Sequence, residues 1–132
     1  MAQLFTGSFP RALDGKNRLL VPSELRDALS AEDRQGLYLI PGSKCVLLWP
    51  RSYLDAYTER QGADPFGNLA FNRAFYSQMI FRSFDRTGRI VLPGELAERF
   101  AKREVLIVGA GRYLELWNPA EFQKSITPLG FE

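Results

Sequence analysis

Two segments of the chain are versions of one another: "LDGKNRLLVPSELRDAL" (13–29) and "FDRTGRIVLPGELAERF" (84–100). Each carries Asp-x-x-x-Arg, then three aliphatic residues, then Pro-x-Glu-Leu. A second match follows each of them. "GLYLIPGSKCVLLWP" (36–50) corresponds to "EVLIVGAGRYLELWN" (104–118), with an apolar strand, a glycine-containing turn and a strand ending in Leu-Trp. The cassettes align at an offset of 71 residues and the hairpins at 68, so the first copy holds three extra residues near "SAEDRQ". The sequence therefore reads as one unit written twice. The boundaries expected are a first repeat over 1–60, a linker helix region over 61–75 and a second repeat over 76–132.

Each unit begins with a predicted strand, over 5–13 and again over 76–84. A tight turn follows at "DGKN" or "DRTG", then a short strand at "RLLV" or "RIVL". Pro22 and Pro93 are expected at the first position of a short helix, where a missing N–H costs nothing. A closing helix starts near Pro50 and near Pro119. Asn118 is a good N-cap there, with Glu121 three residues on. Between the units, a helix is expected to be capped by Asp64 with Pro65 at its start. Half the chain is marginal as an independent fold. Two copies in one chain are expected to pack with pseudo-twofold symmetry, as subunits do in an isologous dimer.

Asn17 and Gly88 hold equivalent places just before the arginine, and these residue types best tolerate positive φ. Asp14 and Asp85 open the turns. A carboxylate there accepts backbone N–H bonds or pairs with the arginine four residues on. These four residues form the turn-structuring set.

Charge is concentrated in the cassettes. The chain has 17 basic and 15 acidic residues, a net charge of +2. Arg11, Lys16 and Arg18 against Asp14 give +2, and Arg82, Arg86 and Arg89 against Asp85 give another +2, so the remainder is −2. On one reading each Asp–Arg pair is a structural clip. On the other the turns present cations to a partner: clips need no extra cations, and arginine's planar fork suits phosphates and guanine edges. Both hold together if the aspartate positions the arginine.

Composition narrows the function classes. The chain has no histidine and one cysteine. A disulfide within the chain, a Cys/His zinc site and a histidine-dependent nucleophile are excluded. No catalytic, cofactor-binding or metal-binding residue is expected, and no small-molecule substrate. Cys45 reads as a core thiol in a strand. Trp49 and Trp117 read as core anchors. "GAGR" (109–112) reads as a hairpin turn rather than a phosphate loop. Glu24 and Glu95 read as first-turn helix residues favoured by the dipole. "FNRAFYSQMIF" (71–81) reads mainly as core, with any exposed remainder an interface between subunits. No apolar run reaches the length of a membrane span, and "MAQLFTGSF" does not read as a signal peptide. The expectation is a cytoplasmic protein without a membrane partner.

The tandem Asp-x-x-x-Arg cassettes, the "FTGSF" strand, "LLWPRSYLDAY" and the closing "LELWNPAEF" resemble the MraZ family of bacterial transcriptional regulators. The resemblance covers nearly the whole chain. It implies a β-rich α+β fold: two tandem AbrB-like (SpoVT-AbrB) swapped-hairpin units forming an intrachain pseudo-dimeric β-barrel with short flanking helices. It further implies a ring-shaped homo-oligomer, associated with the nucleoid. Such a ring would bind double-stranded DNA at direct repeats upstream of its own operon and repress the division and cell-wall gene cluster. The family's DNA-binding arginine maps onto Arg18, with Lys16 beside it. Arg89 and Arg86 stand in the second motif, with Arg11 and Arg82 as further basic neighbours. The family's first motif usually has glycine where this chain has Asn17, and Thr87 stands where the first copy has Lys16. A module that assembles without binding specific DNA is the alternative.

Overall fold

In the computed structural model, the structure describes residues 4–61, 69–127 and 129. The first copy contains β1 (Ser8–Ala12), β2 (Arg18–Leu20), α1 (Ser23–Asp27), β3 (Gly36–Pro41), β4 (Val46–Trp49) and α2 (Arg51–Arg60). After α3 (Leu69–Ser77), the second copy contains β5 (Ile80–Ser83), β6 (Arg89–Val91), α4 (Gly94–Ala97), β7 (Glu104–Gly109), β8 (Leu114–Trp117) and α5 (Pro119–Ser125). The fold is α+β, built on an antiparallel six-stranded sheet with order β1-β7-β8-β4-β3-β5 and a two-stranded ribbon of β2 and β6.

The order interleaves the copies. β1 pairs with β7 of the other copy, while β5 pairs with β3. The registers obey the sequence offsets: Ala12 opposes Glu104 as Ser83 opposes Gly36, and Arg11 opposes Val105 as Arg82 opposes Leu37. β2 and β6 meet with Leu19 opposite Ile90, which are equivalent residues; β4 and β8 meet with Leu47 opposite Glu115, also equivalent. Both self-paired ladders are thus centred on equivalent positions. The edge strands β1 and β5 run through the two turns into β2 and β6, so the ribbon links the two edges of the sheet.

One apolar cluster lies inside, supplied by both copies in matched pairs: Leu19 and Ile90, Val21 and Leu92, Leu25 and Leu96, Leu37 and Val105, Leu48 and Leu116. A smaller cluster surrounds Trp49, with Tyr53, Tyr57, Phe75 and Tyr113 packed on it. Both tryptophans are buried, as anchors require.

Several boundaries differ from expectation. β1 is confined to Ser8–Ala12; Phe5 reaches the other copy only through an isolated bridge to Gly111. Between them Gly7 takes φ +89°, which interrupts the strand. β5 starts at Ile80 because Tyr76 and Ser77 complete α3. Pro22 and Pro93 are the N-caps of α1 and α4 rather than their first residues; Leu25 N–H and Leu96 N–H donate to their carbonyls. Pro50 is likewise the N-cap of α2. Asn118 caps α5 as expected, accepting from Ala120 N–H at 3.1 Å, with Pro119 first in the helix. The proposed cap at Asp64 and Pro65 lies outside the described residues. Cys45 precedes β4 instead of lying within it and is half-buried; burial, aided by the Glu115 carboxylate, pushes its thiol up to about 12. "GAGR" is a hairpin turn, closed by Ala110 N–H donating to Tyr113 C=O. α3 contributes no fully buried residue, so "FNRAFYSQMIF" is less a core segment than its composition suggests. Phe75 packs on Trp49, while Phe71, Tyr76 and Phe81 remain exposed. No helix among the described residues is long and apolar enough to cross a membrane.

Candidate nucleic-acid interface

Both Asp-x-x-x-Arg segments form the turns that lead into the ribbon. In the first, Asp14 Oδ1 accepts the N–H groups of Lys16 (2.9 Å) and Arg18 (2.8 Å). Asp14 Oδ2 takes Arg18 Nε at 2.6 Å. Asn17 sits at φ +62° and donates its N–H to Asp14 C=O. These donors, led by the Arg18 backbone N–H, hold the Asp14 carboxyl down from an ordinary 3.8 to about 2. The aspartate therefore builds the turn and fixes the arginine. Among the described residues no hydrogen bond engages the two terminal nitrogens of Arg18, whose side chain is 41% exposed.

The second turn follows the same backbone plan. Asp85 Oδ1 accepts Arg89 N–H (2.9 Å), Thr87 N–H (2.8 Å) and the Thr87 hydroxyl (2.7 Å), and Gly88 sits at φ +85°. The Arg89 N–H bond, followed by the Thr87 hydroxyl, lowers the Asp85 carboxyl. The Arg89 side chain, however, donates to Thr87 Oγ1 rather than to the carboxylate. Thr87, which replaces the basic Lys16, thus takes over the restraint of its arginine. Lys16 and Arg86 are exposed on the two turns.

The pairing decides where the arginines point. Arg18 opposes Val91 and Arg89 opposes Leu20. Opposed residues of an antiparallel pair share a face, and alternate residues of a strand share a face. Leu19 and Ile90, between them, are fully buried. Arg18 and Arg89 therefore lie together on the outer face of the ribbon. From strand spacing and rise their Cα atoms are roughly 8 Å apart. The ribbon is a narrow, doubly cationic surface of the width that a DNA major groove admits.

Arg11 and Arg82 are placed differently. They oppose the buried Val105 and Leu37, so they start on the core side of the sheet and are half-buried. Arg82 Nε donates to Val91 C=O at 3.0 Å, tying β5 to the ribbon; Arg11 donates to Pro10 C=O. Of the six cassette cations, Arg18 and Arg89 share the outer face of the ribbon, and Lys16 and Arg86 are exposed on its turns.

Two further arginines touch the turns, each from the opposite copy. Arg26 Nε donates to Val21 C=O at 2.9 Å, and its guanidinium covers Gly88 so closely that a Cβ there would lie 2.4 Å from Arg26 Cζ. Arg103 donates to Asp14 C=O and, at 2.8 Å, to Asn17 Oδ1. Sequence reading missed both. The available signal was broken symmetry: the equivalents of Arg26 and Arg103 are Ala97 and Gln35.

The profile described as "MraZ protein, putative antitoxin-like" matches residues 4–74 and 76–129. This chain belongs to the MraZ family. The transcriptional regulator MraZ of Thermomicrobium roseum is 34% identical over 134 residues, covering 98% of this chain and 92% of that protein. Its namesake in Delftia acidovorans is 33% identical over 122 residues, covering 91% and 86%. The one in Pediococcus pentosaceus is 30% identical over 129 residues, covering 93% and 87%. The MraZ-family relationship thus extends over both turns and the ribbon between them.

Proposed function

We propose that this chain is a DNA-binding transcriptional regulator. In this reading it is a cytoplasmic, nucleoid-associated ring that binds direct repeats upstream of its own operon and represses the division and cell-wall gene cluster. The observation that carries it is the shared outer face of Arg18 and Arg89 on the ribbon, with Lys16 and Arg86 on the flanking turns. The names of the relatives as transcriptional regulators support it. Phosphate neutralisation supplies affinity through counterion release, and arginine forks supply base reading. One ribbon makes few contacts, so a ring would gain affinity by engaging several repeats at once.

The test is a gel shift with the duplex immediately upstream of the protein's own gene. Arg18→Ala should weaken binding at least about tenfold while folding persists. Wild-type affinity in that variant removes Arg18 from the interface. Arg89→Ala should be milder, because Thr87 occupies a terminal guanidinium nitrogen of the kind that Arg18 keeps free among the described residues, and stands where the first turn has the basic Lys16.

An assembly module without specific DNA binding is the second reading, favoured by the exposed Leu69, Phe71, Tyr76 and Phe81. Salt separates the two. Phosphate binding falls steeply with added salt, whereas apolar association does not.

A further inference from the structure

Arg103 stands at φ +58°, in the left-handed region that side chains other than those of glycine and asparagine avoid. Both of its backbone groups are hydrogen-bonded there. Arg103 N–H donates to Phe100 C=O at 2.7 Å, and its carbonyl accepts Leu13 N–H at 2.8 Å. The equivalent bond in the other copy, Phe84 N–H to Gln35 C=O, is made by a residue without positive φ. The backbone role needs no arginine. The side chain has a separate use: its guanidinium bonds Asp14 C=O and Asn17 Oδ1, on either side of the Lys16 tip. Among the described residues, Gln35 makes no matching side-chain bond to the second turn.

We propose that Arg103 is a positioning residue for DNA binding, contributed by the second copy to hold the first copy's Asp14–Arg18 turn. Asn17 is its paired acceptor, so the two act as one unit. This also accounts for asparagine in the first turn against glycine in the second: Asn17 supplies an acceptor for Arg103, whereas Gly88 must leave room for Arg26. The inference rests on the DNA-binding reading above.

The test uses Arg103→Gly and Arg103→Asn, both suited to positive φ, in the full chain. The probe is the labelled duplex upstream of its own gene, titrated by fluorescence anisotropy over a range of salt. Both variants should keep or exceed the wild-type melting temperature and lose about tenfold in affinity. The slope of log K against log salt should stay at the wild-type value, because no phosphate contact is removed. Asn17→Gly should weaken binding as well, and the double variant Asn17→Gly/Arg103→Gly should lose no more than Arg103→Gly alone.

Wild-type affinity in both Arg103 variants, with Arg18→Ala impaired, overturns this inference and leaves the DNA-binding reading standing. Wild-type affinity in Arg18→Ala overturns the reading itself. A salt slope smaller by about one makes Arg103 a phosphate contact and not a positioning residue. Additive losses in the double variant, or melting temperatures that fall in step with affinity, also overturn it.

Discussion

A Cβ on Gly88 would lie 2.4 Å from Arg26 Cζ, on a backbone held at φ +85°. Gly88→Ala therefore meets two separate costs, the left-handed backbone and the displacement of the flexible Arg26 guanidinium from its bond to Val21 C=O. Together they should lower stability by about 2 kcal/mol. In an Arg26→Ala background the same substitution should cost about half as much, since only the backbone cost remains. Urea titrations of the four proteins give the comparison, and equal costs in both backgrounds would remove the clash from the account. The aspartate on the other turn makes a pH prediction. The folded-state value of Asp14 is depressed to about 2, so its contribution is present above about pH 4 and is lost as pH falls through 2. The stability gap between wild type and Asp14→Asn should be open at pH 6 and close between pH 4 and 2, as thermal melts can follow. The turn itself was legible in the sequence, since Asp and Asn or Gly at this spacing dictate it. The braces were not, because Arg103 and Asn17 meet from 86 residues apart and no local pattern encodes that contact.

The three-residue excess of the first copy shows how an element can be visible in sequence while its purpose is not. "SAEDRQ" folds into a 3-10 turn over Ala31–Asp33, and it carries the buried Asp33. Asp33 Oδ1 accepts Ser52 N–H at 3.0 Å, and Oδ2 accepts the hydroxyls of Ser52 and Ser30. Ser52 is in the first turn of α2, whose N-cap is Pro50. The side chain of Pro50 has no acceptor, so Asp33 caps α2 from a distance, while in the second copy Asn118 caps α5 directly. The insertion thus replaces a local cap with a tertiary one. Asp33→Ala should cost about 2 kcal/mol, because it uncaps the helix and leaves two half-buried hydroxyls without their acceptor. Asn118→Ala should cost about 1 kcal/mol. Chemical denaturation with equal m-values checks both, and Pro50→Asn in the Asp33→Ala background should recover part of the loss.

At the scale of the whole chain, every strand of the ribbon and both sheet edges depend on the other copy. Residues 4–61 alone would keep only the β3–β4 hairpin, and residues 69–129 only β7–β8. Such a hairpin is marginal by itself. Separate fragments split in the segment 62–68 should show unfolded amide dispersion at low concentration. Mixed, they should regain one cooperative melt. The matched registers would also permit each half to pair with itself, so composition depends on where the copies differ. In a pair of first halves, Arg26 would face Asn17 in place of Gly88, where a Cβ clashes. In a pair of second halves, Ala97 and Arg103 would face Gly88, and Arg103 would lose its Asn17 acceptor. The unequal turns therefore favour the mixed pair on both counts. Native mass spectrometry of an equimolar mixture should show mixed pairs well above the statistical half. A statistical distribution would mean that the braces Arg26–Gly88 and Arg103–Asn17 do not discriminate between the copies.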